Sequence, residues 1–421
     1  MGMISGIAAL GLGLALGVQT EPSRERLYGT VLTAGGERLE GYLRWDRNET
    51  HWADLLDGWK EIPREHALEA ERLDDELRRL RERERSVTFD GVRITWDEDD
   101  TGGLERTASA VRFGHLRSLE VTGDRSALIV LESGERLDLS SSSTDLGRSF
   151  RELVVDDATR GSVEIEWEDL VRVDFMPAPS SMPAPTAHRL HGTVATRGGL
   201  RLTGFVAWDL DEALTTDVLD GEEDGEDVRL VFGDIAAIAR ESRSSARVTL
   251  LSGEEMILDD SNDVDGDNRG IEVTDPTFGR AVVDWDEFES LTLHPRAGSP
   301  GDREVFGGGS RLRGTVIARG ESPVSGFIRW DNDEEFTWET LDGETEGVAV
   351  AIELGHVRSI ERLGDVSRVA LADGRIFMLD DSGDVGEDHR GVFIDTGAGE
   401  TVLVRWRDFV SATFEHPTFE P

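Results

Sequence analysis

The chain repeats itself, and that constrains its fold more than any other feature. RLYGTV at 26–31 returns as RLHGTV at 189–194 and RLRGTV at 311–316, and GYLRWD at 41–46 returns as GFVAWD at 204–209 and GFIRWD at 326–331. Leu-Asp-Gly follows at 56–58, 219–221 and 341–343, then FGHLRSL at 113–119, FGDIAAI at 232–238 and LGHVRSI at 354–360. Each copy closes on a tryptophan: Trp167, Trp285 or Trp406. Self-similarity kept in this order means one supersecondary unit used three times. Copies two and three align almost without gaps, whereas copy one carries an insertion at about 59–103. MPAPSSMPAP at 176–185 and the Gly- and Pro-rich run at 294–310 read as connectors. The predicted domains are therefore 26–175, 189–293 and 311–416, joined by linkers at 176–188 and 294–310.

Within a copy the hydrophobic period is two, as in Ala281-Val282-Val283-Asp284-Trp285, and Gly-containing turns such as Arg197-Gly198-Gly199 separate the runs. Antiparallel hairpins follow, so the fold class is all-β. A finer repeat runs inside each copy, because VRLVFGDIAAI at 228–238 and AVVDWDEFESL at 281–291 share one plan of strand, aromatic, acid and last strand. In topology this ending resembles an SH3-like or Sm-like small barrel, which implies two such barrels per copy. A β-sandwich or a propeller-like array is the alternative.

The insertion opens at Pro63 and runs from Arg64 to Ser86 without Gly or Pro, with acids at 65–76 and five arginines at 78–85. That polarity complements a helix dipole, and Leu68, Leu73, Leu77 and Leu80 make one narrow apolar stripe. A helix over 63–86 lying on its own barrel is expected, the alternative being a contact for self-association or a partner. Val87 to Ile94 then reads as an extra hairpin turning at Asp90-Gly91.

Aspartate and glutamate total 87 against 45 Lys plus Arg, a formal charge of -42, and Lys60 is the single lysine. Such a field repels phosphate backbones and anionic lipid heads and concentrates cations, which argues against nucleic acid as a partner. The first 18 residues are a mostly apolar run, short for a membrane span but suited to a signal peptide over 1–18. Export to the periplasm or cell surface, with no membrane span in the mature chain, is the expectation. Without cysteine, a lipoprotein anchor, disulfides and thiolate metal sites are excluded.

Two acidic loops are where chemistry could sit. After the first tryptophan of copies two and three come Asp209, Asp211 and Glu212, and Asp331, Asp333 and Glu334; a second loop holds Asp263, Asp265 and Asp267. Clustered carboxylates suit a hard cation such as calcium. An EF-hand is excluded, since counting from Asp263 puts Gly266 at position four and Thr274 at position twelve. Every copy also keeps an aspartate and, six residues on, an arginine: Asp145 with Arg151, Asp263 with Arg269, Asp384 with Arg390. Fork-shaped guanidinium against carboxylate predicts that each pair pins its loop. The tryptophans are expected in the core. His188 and His191 lack a third ligand in their copy, and no nucleophile elbow, phosphate loop, dinucleotide fingerprint or H-E-x-x-H occurs. These features suggest a non-enzymatic exported binding or scaffold protein whose partner is a protein or glycan of the cell envelope. A calcium-dependent envelope module is the alternative, and an acidic hydrolase a distant third.

Overall fold

Alternate burial along short segments makes almost every element a strand. In Ser126–Leu131, Ala127, Ile129 and Leu131 are fully buried while the residues between them stay partly exposed. The computed structural model describes residues 24–73, 106–141, 143–296, 303–397 and 399–415, and they form antiparallel sheets, as the reading as an all-β chain requires.

The first copy supplies β1 (Tyr28–Thr33), β2 (Arg38–Trp45), β3 (Leu55–Glu61), β4 (Arg106–Arg112), β5 (Leu116–Gly123), β6 (Ser126–Leu131), β7 (Arg136–Ser140), β8 (Leu153–Asp157), β9 (Gly161–Ile165) and β10 (Leu170–Phe175). In space they run β4-β3-β7-β6-β5-β10-β1-β2-β8-β9. Two five-strand sides meet where β5 pairs with β10, Leu119 opposite Val173. Strands β3 to β7 lie in sequence between β2 and β8 yet form one side of the sheet. The half-repeat seen in the sequence is therefore nested, one side inserted into the other, rather than two halves in succession.

The second copy gives β11 (His191–Thr196), β12 (Arg201–Ala207), β13 (Val218–Glu223), β14 (Glu226–Val231), β15 (Ile235–Ser242), β16 (Ser245–Leu250), β17 (Glu255–Asp259), β18 (Ile271–Asp275), β19 (Gly279–Val283) and β20 (Phe288–Leu293). The third gives β21 (Arg313–Ala318), β22 (Val324–Arg329), β23 (Thr340–Thr345), β24 (Val348–Glu353), β25 (Val357–Leu363), β26 (Val366–Leu371), β27 (Ile376–Leu379), β28 (Val392–Asp395), β29 (Thr401–Val404) and β30 (Phe409–Phe414). The second sheet repeats the first one's order and then continues across the copy boundary, because β19 pairs with β24 from Gly279 opposite Ile352 to Val282 opposite Ala349. Gly279 has φ of 151°, and a Cβ there would stand 1.9 Å from the carbonyl oxygen of Ala351. Only glycine lets the two strands approach this closely.

Charged side chains lock copy one to the others. Arg112, 1% exposed, donates to Ala53 O of its own copy, to Asp275 O of copy two and to the Glu353 carboxylate of copy three. Arg44 makes a two-pronged pair with Asp217, Arg280 with Asp57, and Lys60 donates to Glu339 and to Asp333 O. The second connector is docked too: Phe306 is 6% exposed over Gly114, and Gly308 N–H donates to His115 Nδ1. The copies are interlocked, not strung on free spacers.

Of the predicted 63–86 helix, residues 64–73 are described and helical. Leu73 is buried and Leu68 is 54% exposed. Its polar side reaches copy three, through His66 to Glu335 at 3.0 Å and Glu69 to Arg329 at 2.8 Å, rather than staying on its own copy. Leu77 and Leu80, the 87–94 hairpin and the 1–18 signal segment lie outside the described residues. Among the described residues no helix is long and apolar enough to cross a membrane.

Candidate cation site

The motif Trp-Asp-x-x-Glu ends the second strand of each copy in a tight reversal. Trp45, Trp208 and Trp330 bridge Glu49, Glu212 and Glu334 through their backbones, and the two residues after each tryptophan have positive φ, from 44° to 74°. Asp and Asn tolerate that region better than other residues with a Cβ, so Arg47 at 74° and Leu210 at 54° are the strained members. All three tryptophans are fully buried, as a core role demands. Each also holds the second acidic loop: its indole Nε1–H donates to the carbonyl of Asp145 (3.0 Å), Asp263 (2.8 Å) or Asp384 (2.9 Å).

That one hydrogen bond brings the two acidic loops together. Asp209, Glu212 and Asp263 meet in copy two, the one group of three such side chains among the described residues that closes to cation-binding distance, and Asp46, Glu49 and Asp145, and Asp331, Glu334 and Asp384, are its counterparts in copies one and three. In copy two, one oxygen of each residue lies within 4.8 Å of the others. The three aspartates after the tryptophans are capped by arginine. Arg151, Arg269 and Arg390 each donate a backbone N–H and a guanidinium N–H to Asp46, Asp209 and Asp331 respectively. The expected pairs are thereby corrected: Arg151 does not pin Asp145, nor Arg269 Asp263, nor Arg390 Asp384. Those three aspartates instead accept the backbone N–H of Asp57, Asp220 and Asp342, at 2.6, 2.7 and 2.7 Å, tying the loop to the next strand. The reason is reach, since a carboxylate six residues back along a loop faces the strand while the one across the hairpin faces the arginine.

The glutamates have no such partner. Glu49 Oε2, Glu212 Oε2 and Glu334 Oε2 are each buried with no hydrogen bond, and Glu49 and Glu334 are 7% and 5% exposed. A buried carboxylate oxygen left unpaired costs on the order of several kcal/mol unless it is neutralised. Burial first, then the neighbouring aspartates, push the Glu212 carboxyl up to about 9 and that of Glu49 and Glu334 well above the ordinary range. Burial likewise raises Asp263 to about 6 and Asp331 to about 7, in the latter against the pull of Arg390. A proton or a metal cation would satisfy each cluster.

Of the sequence candidates, Asp209, Glu212 and Asp263 converge, and Asp331 and Glu334 hold the corresponding places in copy three. Asp211 and Asp333 turn to arginines, Asp211 to Arg151 and Arg269, Asp333 to Arg390. Asp265 and Asp267 stay in their own loop, where Asp265 accepts from the Asp267 N–H. The sequence reading missed the copy-one cluster and Asp384 as a cluster member. The alignment of Glu49 with Glu212 and Glu334 was the available signal.

No protein-family model matches the chain, and no curated protein matches it. Among solved structures the chain is similar to a streptogramin B lyase structure at 8% identity and a TM-score of 0.13, over 73% of this chain and 89% of that one, a likeness too slight to carry argument.

Proposed function

We propose that this chain is a non-enzymatic, exported binding scaffold whose three β-copies are each fixed by a bound cation, calcium first, at the Asp-Glu-Asp clusters. The carrying observation is the buried, unpartnered Glu212 oxygen in a group whose ligand atoms from Asp209 and Asp263 lie within 4.8 Å, with an unpartnered glutamate oxygen at the same place in the other two copies. Oxygen-only donors of this kind suit calcium, with Glu212 Oε2 and the Asp263 oxygen not engaged by Asp220 as the principal ligands in copy two and backbone carbonyls or water completing the shell. Each ion would bridge the hairpin after the second strand to the distant acidic loop and so stiffen the sheet.

The strand order supports reading each copy as two SH3-like units. The β10-β1-β2-β8-β9 side follows the order of such a barrel, with a short 3-10 turn (Trp167–Asp169) before its last strand, and the nested side carries its own at Phe113–His115. Repeated β-units suit multivalent attachment to an envelope protein or glycan, because linked weak contacts gain from effective concentration.

Melting the full chain with calcium chloride, with sodium chloride at matched ionic strength and with a chelator tests the proposal. Calcium should raise the midpoint well beyond the salt control, and calorimetric titration should give about three sites per chain. Equal midpoints and no saturable calcium heat would overturn it.

A further inference from the structure

Between copies one and two lies a cavity of about 490 Å³, a size within the range of small-ligand sites. Its lining runs against the charge of the molecule. Arg26, Arg189 and Arg296 face a single carboxylate, Glu25, in a chain with 87 acids and 45 bases. Four of the nine histidines line it as well.

The cations there are incompletely used. Arg26 is 5% exposed and donates Nε–H and a terminal N–H to the carbonyls of Thr50 and Ala187, with no carboxylate at ion-pair distance among the described residues. Burial lowers it to about 10, with Asp156 pulling upward and the neighbouring Arg189 and Arg44 adding to the fall. Arg189 pairs with Asp54 at 3.2 Å, yet its Nε is buried without an acceptor. Arg296 lies over the Phe205 ring at 5.1 Å and meets Glu25 at 2.8 Å. The rest of the wall is apolar, and Leu251 is 69% exposed, the most of any large apolar side chain among the described residues. A cavity lined mostly by apolar side chains with a few buried cations is the pattern of an amphipathic ligand site.

We propose that this cavity binds a small organic anion, a carboxylate carried on a flat apolar body, its charge toward Arg26, Arg189 and Arg296 and its body against Leu251 and Leu293. The site is independent of the cation clusters, which lie elsewhere in each copy. It is built jointly by the first and second copies and by residues of both connectors, so it exists only in the assembled chain.

Calorimetric titration of the full chain with 2-naphthoate, and with neutral 2-naphthamide as the matched control, tests the idea in calcium-free buffer. One naphthoate per chain should bind with a Kd on the order of 0.1 mM, and the amide at least about tenfold more weakly. Arg296→Gln, a partly exposed position, should weaken naphthoate about tenfold and leave the amide unchanged, whereas Leu251→Ser should weaken both. Both variants should melt with the parent, which separates lost binding from lost folding. Equal affinity for the two compounds, no saturable heat for naphthoate, or indifference to Arg296→Gln in a folded variant would each overturn the assignment.

Discussion

Glu212 is a carboxyl whose folded-state pKa, about 9, stands above its ordinary value of 4.5. It holds its proton more tightly folded than unfolded. The stability this supplies is complete below about 4.5 and is lost as pH rises through about 9. In chelator the midpoint should therefore fall from pH 5 to pH 9, by at most about 1.4 kcal/mol per pH unit for each such group. Glu212→Gln keeps the shape without the charge, so it should flatten that slope, leave stability at pH 5 unchanged, and remove one calcium site. Thermal melts at pH 5, 7 and 9 decide it, and a steeper slope in the variant would contradict the argument. The residues of this site were half legible in the sequence. Oxygen-rich loops announced themselves by composition and by recurrence in the copies. What joined them was a tryptophan indole reaching a carbonyl 55 positions away, and nothing local to either loop encodes that distance. The arginine partners went astray for the same reason, since Arg269 chose the carboxylate across the sheet over the one six residues back.

At the level of elements, period-two alternation made the strands and hairpins readable, but alternation states only which face is buried. It is silent on which edge pairs with which. Hence the nesting of β3 to β7 within β1, β2 and β8 to β10 was not foreseen, nor the seam that carries the second sheet into the third copy. Gly279 tests that seam. Gly279→Val would drive a branched side chain into the Ala351 carbonyl, breaking the β19–β24 pairing at a cost of about 2–4 kcal/mol. Amide exchange should then accelerate at 348–353 while the β1–β2 hairpin stays protected. Uniform acceleration, or none, would refute a local seam. The same substitution at Gly36, where φ is also positive but nothing lies within 4 Å, should cost about 1 kcal/mol and serves as the control.

Across the whole molecule the repulsion of 42 excess negative charges must be outweighed by packing and by a few well-placed cations. Sodium chloride from 0.05 to 0.5 M (about a threefold cut in Debye length) should raise the midpoint, because the repulsion is spread over the surface while the critical pairs are buried. Arg112 is the sharpest of those pairs, since it holds all three copies. Burial alone would raise the Glu353 carboxyl, yet His115 and Arg112 hold it at about 2. Its contribution is present at neutral pH and is lost as pH falls from about 4.5 toward 2. Arg112→Met leaves Glu353 buried without its guanidinium, beside His115 and His356, which should cost about 3–5 kcal/mol at pH 7. Adding Glu353→Gln should recover a large part of that loss, because the penalty lies in the stranded charge more than in the missing contact. Calorimetry adds a second reading: interlocked copies should melt as one transition in the parent and as two in Arg112→Met. A single unchanged endotherm, together with additive losses in the double variant, would mean that the copies are held by the β19–β24 seam and the apolar core, with Arg112 a passenger at their meeting point.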